Sequence, residues 1–316
     1  MNTIAVVVTY NRKELLCECL DAILAQTRPV QKIVVMDNAS TDGTRELLLE
    51  RGFLSNSLVE YHSLEKNIGG SGGFNEGMKI AAVQKSDWVW IMDDDTIPHK
   101  DAHEGAMRAA ERVCLDEADR PVSFLASCVY GPNGEFLNTP KPDVDGSVEK
   151  DVRGWYKYLD KGMLRIARAT FVSIFVSKRA IQKCGYPLYD YFIWGDDMEY
   201  TMRLSRYCGP AYMVGASKVM HKCKIYAHSQ LVEMEAENRI RMYFYSARND
   251  LITTRFYRGN RQFLRQVVQD GKRALRMVFY KKGLLKARVH FKGIIASFVQ
   301  YARFRNEIEG GLSSGI

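Results

Sequence analysis

Trp88-Val89-Trp90-Ile91-Met92-Asp93-Asp94-Asp95-Thr96-Ile97-Pro98 runs five apolar residues, two of them tryptophan, into three carboxylates, then a proline three residues on. An unbroken apolar run of this length reads as a strand buried on both faces, as in a parallel sheet. Such a strand delivers its last residues to the carboxyl edge of the sheet, where open α/β folds bind ligands. Three adjacent carboxylates repel one another there, and no basic residue adjoins them in the sequence to balance them. Alternation points Asp93 and Asp95 to one side, with Asp94 opposed. Asp93-x-Asp95 is therefore a candidate seat for Mg²⁺ or Mn²⁺, hard ions that favour carboxylate oxygen and leave positions free for phosphate. The plainer alternative is a solvated acidic turn after a core strand.

Upstream, Ile4-Ala5-Val6-Val7-Val8-Thr9-Tyr10 is a second buried strand ending at Asn11-Arg12. Residues 14–25 carry Leu15, Leu16, Cys19, Leu20, Ile23 and Leu24 at helical spacing, Pro29 ends that helix, and residues 32–37 form the next strand. Asp37-Asn38-Ala39-Ser40-Thr41-Asp42-Gly43-Thr44 turns into a helix over 44–51, and 59–62 is a short strand. This βαβ order predicts an α/β fold with parallel pairing and right-handed crossovers. Asn67-Ile68-Gly69-Gly70-Ser71-Gly72-Gly73-Phe74 then opens a helix to about residue 84. Glycines so dense bring backbone N–H groups close to a ligand, and the helix N-terminus suits a diphosphate. The spacing is neither G-x-G-x-x-G nor a P-loop, and a flexible turn is the alternative.

Taken together, Thr-Tyr-Asn-Arg at 9–12, Asp-Asn-Ala-Ser-Thr-Asp-Gly-Thr at 37–44, the glycine segment at 67–74 and the Asp triplet resemble the family 2 glycosyltransferases, which have the GT-A fold. The resemblance covers roughly residues 3–250 and is strongest before residue 100. Within the family the glycine segment and the triplet look most like bacterial galactofuranosyltransferases, with rhamnosyltransferases close relatives. The resemblance implies that Thr9, Asn11, Arg12 and Asp37 hold the nucleotide, Asp37 accepting the uracil N–H. It implies that Asn67, Gly69, Gly70, Gly72 and Gly73 line the sugar diphosphate, that Asp93 and Asp95 carry the metal, and that Asp94 faces the ribose or sugar. A helix cap or Asx-turn is the competing reading of Asp37.

Residues 102–118 read as a helix, 122–130 as a strand, and the polar stretch 138–152 as a surface loop able to reach over an acceptor. One strand is expected over 168–176 and a helix over 178–184. Trp194-Gly195-Asp196-Asp197 follows an aromatic cluster and opens another helix. Paired carboxylates against an apolar wall are what a general base needs, and N-terminal capping is the alternative. The resemblance makes Asp197 the base and Asp196 its acceptor-binding neighbour, with Trp194 at the sugar. Trp194-Gly195-Asp196-Asp197 lines up with the family's Trp-x-Asp-Asp motif, with Gly195 as its second residue, and the choice of base between the two carboxylates stays open. A lone histidine is usually structural, but the resemblance makes His221 the third metal ligand, ahead of His228.

The chain's 46% hydrophobic and 26% charged residues are ordinary for a globular protein. The apolar run near the N-terminus is only about seven residues, which predicts no signal peptide, and no stretch reaches the roughly 18 apolar residues a spanning helix needs. Seven cysteines without a C-x-x-C pair suggest reduced, cytoplasmic thiols. The net charge of +8 is uneven: residues 239–316 hold 17 Lys+Arg against 4 Asp+Glu, so a mildly acidic body carries a basic tail. That tail reads as an aromatic basic helix over 238–257 and two further helices with apolar stripes from Phe263 to Phe279 and from Leu284 to Ala302. Basic amphipathic helices suit the anionic inner face of the cytoplasmic membrane, and packing on the body or on another subunit is the alternative. The expected organisation is a catalytic domain over 1–235 and a helical region over 236–316.

The leading expectation is a metal-dependent inverting hexosyltransferase using a nucleotide sugar, UDP-galactofuranose first and dTDP-rhamnose second, on a glycan or lipid-linked acceptor of a cell-surface polysaccharide. Nucleotidyl transfer needs cations near a triphosphate, and only Lys66 stands beside the glycine segment. Nucleic-acid binding through the tail is disfavoured by the acidic body and the buried triplet.

Overall fold

The computed structural model describes residues 1–116, 121–144, 154–223 and 234–313. In chain order the elements are β1 (Thr3–Thr9), α1 (Lys13–Leu24), β2 (Lys32–Asp37), α2 (Thr44–Glu50), β3 (Val59–Ser63), α3 (Gly69–Val83), β4 (Trp88–Asp93), β5 (Thr96–Pro98), α4 (Ala102–Asp116), β6 (Phe124–Tyr130), β7 (Lys141–Pro142), β8 (Met163–Arg168), β9 (Ile174–Ser177), α5 (Lys178–Cys184), α6 (Asp196–Tyr207), β10 (Ala211–His221), α7 (Glu237–Met277) and α8 (Gly283–Ser313).

One mixed sheet has the order β3-β2-β1-β4-β9-β6-β10-β8-β7, with β5 paired to β10. β1 pairs in parallel with β2 and β4, as consecutive βαβ units require. The apolar runs are continuous because both faces are covered. Ala5, Val7, Ile33, Val35, Trp90 and Met92 pack with Leu16, Leu20 and Met107 of α1 and α4. Their neighbours Val6, Val34, Val89 and Ile91 pack with Met78, Ile181 and Leu204 of α3, α5 and α6. Trp90 is fully buried because its Nε1 donates to Ser173 Oγ at 2.9 Å, leaving no polar atom unpaired.

The stretch 168–176 is two strands rather than the single one expected. β8 ends at Arg168 and pairs with β10, whereas β9 starts at Ile174 and pairs with β4 and β6. Between them Ala169 exchanges bonds with the Thr201 hydroxyl of α6, and Phe171 leaves the sheet to pack edge-on against Phe74 at 5.0 Å. An apolar run with no Gly or Pro carries no local mark of such a break. Part of the 138–152 segment also departs from a free loop, since Lys141–Pro142 joins the sheet beside β8; residues 145–152 lie outside the described ones.

α7 breaks at Gly259 (φ 80°, ψ 172°), and α8 packs against both halves. Ile240, Met277 and Val289 form one cluster, and Leu251, Phe263 and Ile294 another. The far end of α8 docks on the body through Phe304 and Ile308, which meet Leu188, Tyr191 and Ile252.

The glycines opening α3 serve packing. A Cβ on Gly73 would lie 2.7 Å from Val8 Cγ1, and one on Gly69 2.1 Å from the Phe192 carbonyl oxygen, whereas one on Gly70 meets nothing within 4 Å. Gly73→Ala is therefore expected to cost about 1–3 kcal/mol. Gly70→Ala is expected to be neutral or to stabilise by up to about 1 kcal/mol. Urea unfolding midpoints of the two variants check this, and equal shifts would deny the packing role.

Candidate active site

Register brings Thr9 level with Asp37 and Val8 level with Asp93, so β1, β2 and β4 end together at one edge of the sheet. After Asp93 the chain turns through Asp94-Asp95 into β5, which runs antiparallel to β10 with Thr96 opposite His221. That pairing carries His221 to Asp95, with Nε2 3.1 Å from Oδ1. The ligand atoms of Asp93, Asp95 and His221 lie within 4.8 Å of one another. His221 Nδ1 bonds Asn138 Oδ1 at 2.9 Å, which fixes the ring and leaves Nε2 facing the carboxylates.

Asp94, in the turn after β4, stands outside the Asp93–Asp95–His221 cluster and accepts from Thr9 Oγ1 at 2.7 Å. The triplet does have a cation beside it, contrary to the reading from neighbours in sequence. Arg12 Nη1 reaches Asp95 Oδ2 at 2.7 Å and Asp94 Oδ1 at 3.2 Å. Arg12 thus serves the carboxylates, and its position after β1 brings it there through the β1–β4 pairing. Burial and the Asp95 charge push Asp93 up to about 6. Burial pushes Asp94 to about 7 against the pull of Arg12. Burial opposes the charge on Asp95 too, but the bond and charge of His221, with Arg12, win and hold it below the usual carboxylate range. For His221 burial opposes protonation, and the Asp95 bond with the Asp95 and Asp93 charges overcomes it, raising the imidazole.

This donor set fits Mn²⁺ or Mg²⁺. Neighbouring ligands of an ion bonded at about 2.1 Å lie about 3–4 Å apart, two hard oxygens and an imidazole are available, and Arg12 occupies Asp95 Oδ2 while Oδ1 faces the cluster.

The second acidic group is set up by backbone strain. Phe192, Trp194 and Gly195 all have positive φ (65°, 59° and 87°), costly for the two aromatic residues. α7 holds them there: Asn249 Nδ2 donates to the carbonyls of Tyr191, Ile193 and Trp194 at 3.0, 3.3 and 2.7 Å. Arg248 Nη2 donates to the carbonyls of Asp190 and Tyr191. Phe192 stacks on Tyr245 at 4.6 Å, and Trp194 leans on Tyr243 at 4.8 Å. The loop delivers Asp196 and Asp197 to the start of α6. That helix is anchored by Glu199, which accepts from Arg203 Nη2 at 2.9 Å and Tyr257 OH at 2.8 Å in a buried network. Burial, then Asp197, pushes Asp196 well above the carboxylate range. Burial pushes Asp197 up to about 6, helped by Asp250 and opposed by the Met198 N–H and Arg168. Asp93 raises Asp196 and Asp197 raises Asp93, so the two acidic groups share one electrostatic environment.

The remaining expected residues hold the edge together. Asp37 is buried, accepting from Ser40 N at 2.8 Å in an Asx-turn and from Tyr61 OH, so the competing turn role is present. Asn11, at φ 54°, accepts from Thr41 N at 2.7 Å and ties β1 to that turn. Asn67 Oδ1 accepts from Gly69 N at 2.8 Å at the head of α3. Gly72, like Gly69 and Gly73, is filled against its surroundings, here the Ile68 side chain.

Residues 4–122 match Glycosyl transferase family 2. The chain carries a family 2 glycosyl transferase domain. Over 94 residues, 30% of this chain and 30% of the relative, it is 40% identical to the galactofuranosyltransferase GlfT1 of Mycolicibacterium smegmatis. Over 93 residues, 29% of this chain and 21% of the relative, it is 31% identical to the poly-beta-1,6-N-acetyl-D-glucosamine synthase of Staphylococcus epidermidis. The chain thus spans less than a third of the length of these relatives. S. aureus TarS 1-349 covers 97% of this chain and 92% of its own at TM-score 0.50 and 15% identity, a likeness of fold. The fold is GT-A.

The family 2 domain supplies Thr9, Arg12, Asp37 and the Asp triplet, while Asp196, Asp197, His221 and Asn249 lie beyond residue 122. Asn249, Arg168, Asn138 and Asp250 escaped the sequence reading; only the Arg248-Asn249-Asp250 run, polar in an aromatic helix, marked the first and last. Asn249→Ala leaves three carbonyls short of a donor and is expected to cost about 1–3 kcal/mol, read as a lowered thermal midpoint with weakened near-ultraviolet dichroism from Trp194. Titration of Mn²⁺ by calorimetry is expected to show one site in the intact protein and at least a tenfold weaker one in Asp95→Ala or His221→Ala.

Proposed function

We propose that the protein is a metal-dependent inverting glycosyltransferase that moves galactofuranose from UDP-galactofuranose to a hydroxyl of a glycan or lipid-linked acceptor in cell-surface polysaccharide synthesis. The observation that carries this is the Asp93–Asp95–His221 cluster on the carboxyl edge, electrostatically continuous with the acid pair at the start of α6. The family 2 domain and the galactofuranosyltransferase relatives support the donor class. Asp93, Asp95 and His221 would hold Mn²⁺ or Mg²⁺, which would supply positive charge for the departing diphosphate.

The chain's own groups do the rest. Asp197, raised only to about 6, is ionised at neutral pH yet basic enough to take the acceptor's hydroxyl proton. Asp196, whose charged form is disfavoured by burial and by Asp197, stands beside the base as the acceptor-binding neighbour. As the acceptor O–H proton passes to Asp197, its oxygen bonds the anomeric carbon on one face. The bond to the diphosphate oxygen breaks on the other, which inverts the centre. Thr9, Asn11, Asp37 and Asn67, with the Gly69–Gly73 turn of α3, stand where the nucleotide and diphosphate lie against the edge. Gly70 has the open space for close backbone approach.

Asp197→Asn is expected to lower kcat by at least a thousandfold while UDP-galactofuranose still raises the thermal midpoint with Mn²⁺ present. In the native enzyme kcat/KM is expected to fall about tenfold per pH unit below about 6, because the base is lost as it protonates. Loss of turnover in Asp196→Asn with near-normal Asp197→Asn reverses the two roles. Stabilisation by dTDP-rhamnose alone changes the donor, and full turnover in EDTA overturns the metal-dependent reading.

A further inference from the structure

The turn between α7 and α8 gathers exposed apolar side chains. Phe279 is 90% exposed, Leu284 76%, Leu275 60% and Tyr280 51%, gathered within ten residues of chain. The stripes expected of these helices divide in two. Phe263, Ala274, Met277 and Ile294 turn inward and join α7 to α8, while Leu264, Val268, Ile295 and Val299 stay exposed. At 100° per residue Leu264, Val268 and Leu275 fall within about 40° of arc on α7, and Leu284, Ile295 and Val299 within about 60° on α8.

Along this stretch of chain the charge has one sign, and Glu235 and Glu237, which meet it at the turn, come from the start of the helical region. Residues 271–306 contain ten Lys+Arg and no Asp or Glu. Arg276, Arg288 and Lys292 are exposed beside the apolar stripes. Lys281 and Lys282 pair with Glu235 and Glu237, but these bridges are solvent-exposed and hold the charges only weakly. No helix among the described residues is long and apolar enough to cross a membrane.

We infer that this turn docks on an anionic lipid bilayer, with Phe279 and Leu284 entering the interfacial region and the surrounding Lys and Arg meeting anionic headgroups. Charge complementarity selects this occupant. A second copy would bring two cationic faces together, whereas a bilayer surface takes up apolar side chains and basic charge at once. The opposite end of α8 is fixed to the body at Tyr191, so docking at the turn holds the whole protein at the lipid surface.

Removing α8 would uncover Tyr191 and Ile252, so surface substitutions are the proper probe. The full chain is sedimented with phosphatidylcholine vesicles, with and without phosphatidylglycerol. Binding is expected only to the anionic vesicles and is expected to weaken steeply in high salt. Phe279→Glu with Leu284→Glu is expected to lower the partition constant roughly tenfold or more, with thermal midpoint and donor hydrolysis unchanged. Arg276→Glu with Arg288→Glu is expected to lose binding to a similar extent. Absence of native binding to anionic vesicles, or equal binding by all variants, overturns the inference. Concentration-dependent dimerisation abolished by Phe279→Glu/Leu284→Glu, without vesicle binding, overturns it in favour of a second copy.

Discussion

Three carboxylates withdrawn from water at the end of β4 are the constraint around which the site is arranged. Each buried charge is costly unless opposite charge stands within a few ångströms. Arg12 and His221 stand there, brought together from far apart in the chain by the β1–β4 and β5–β10 pairings. The compensation is partial. Asp95 is held ionised, whereas Asp93 and Asp94 are pushed toward neutrality. A divalent cation completes such a balance better than protons do, because it satisfies Asp93 and Asp95 together without consuming the Arg12 bonds.

The same logic extends to the acid pair. Asp196 and Asp197 begin a helix, where the dipole favours their charge, but burial outweighs it for Asp196. Their position depends on a loop that holds two aromatic residues at positive φ. That loop persists because Asn249 and Arg248 occupy its carbonyl oxygens from α7. The helical C-terminal part therefore shapes the site directly.

Packing constraints also disguise themselves as binding motifs. Gly69, Gly72 and Gly73 look like a phosphate cradle, yet each is closely approached by protein: Gly69 by the Phe192 turn, Gly73 by β1, and Gly72 by Ile68 just before the helix. Asp37 looks like a base-reading residue and is also the acceptor of its own Asx-turn. In both cases close packing and ligand approach ask for the same residue types.

The sequence by itself determined the strands of the sheet's first half, the helices between them, and Asp93 and Asp95 as the two carboxylates that come together. Unbroken apolar runs and two-residue alternation are local and leave a direct imprint. It marked the acid pair and His221, but the latter only through a family resemblance. Tertiary structure decided the rest: Arg12 as the triplet's counter-ion, the division of 168–176 into two strands, Asn249 as the clamp on the 192–195 loop, and which half of each C-terminal stripe is buried. The first three rest on hydrogen-bonded residues between 32 and 82 positions apart in the chain. Chain periodicity reports which side of an element is apolar, and only three-dimensional packing chooses what that side meets.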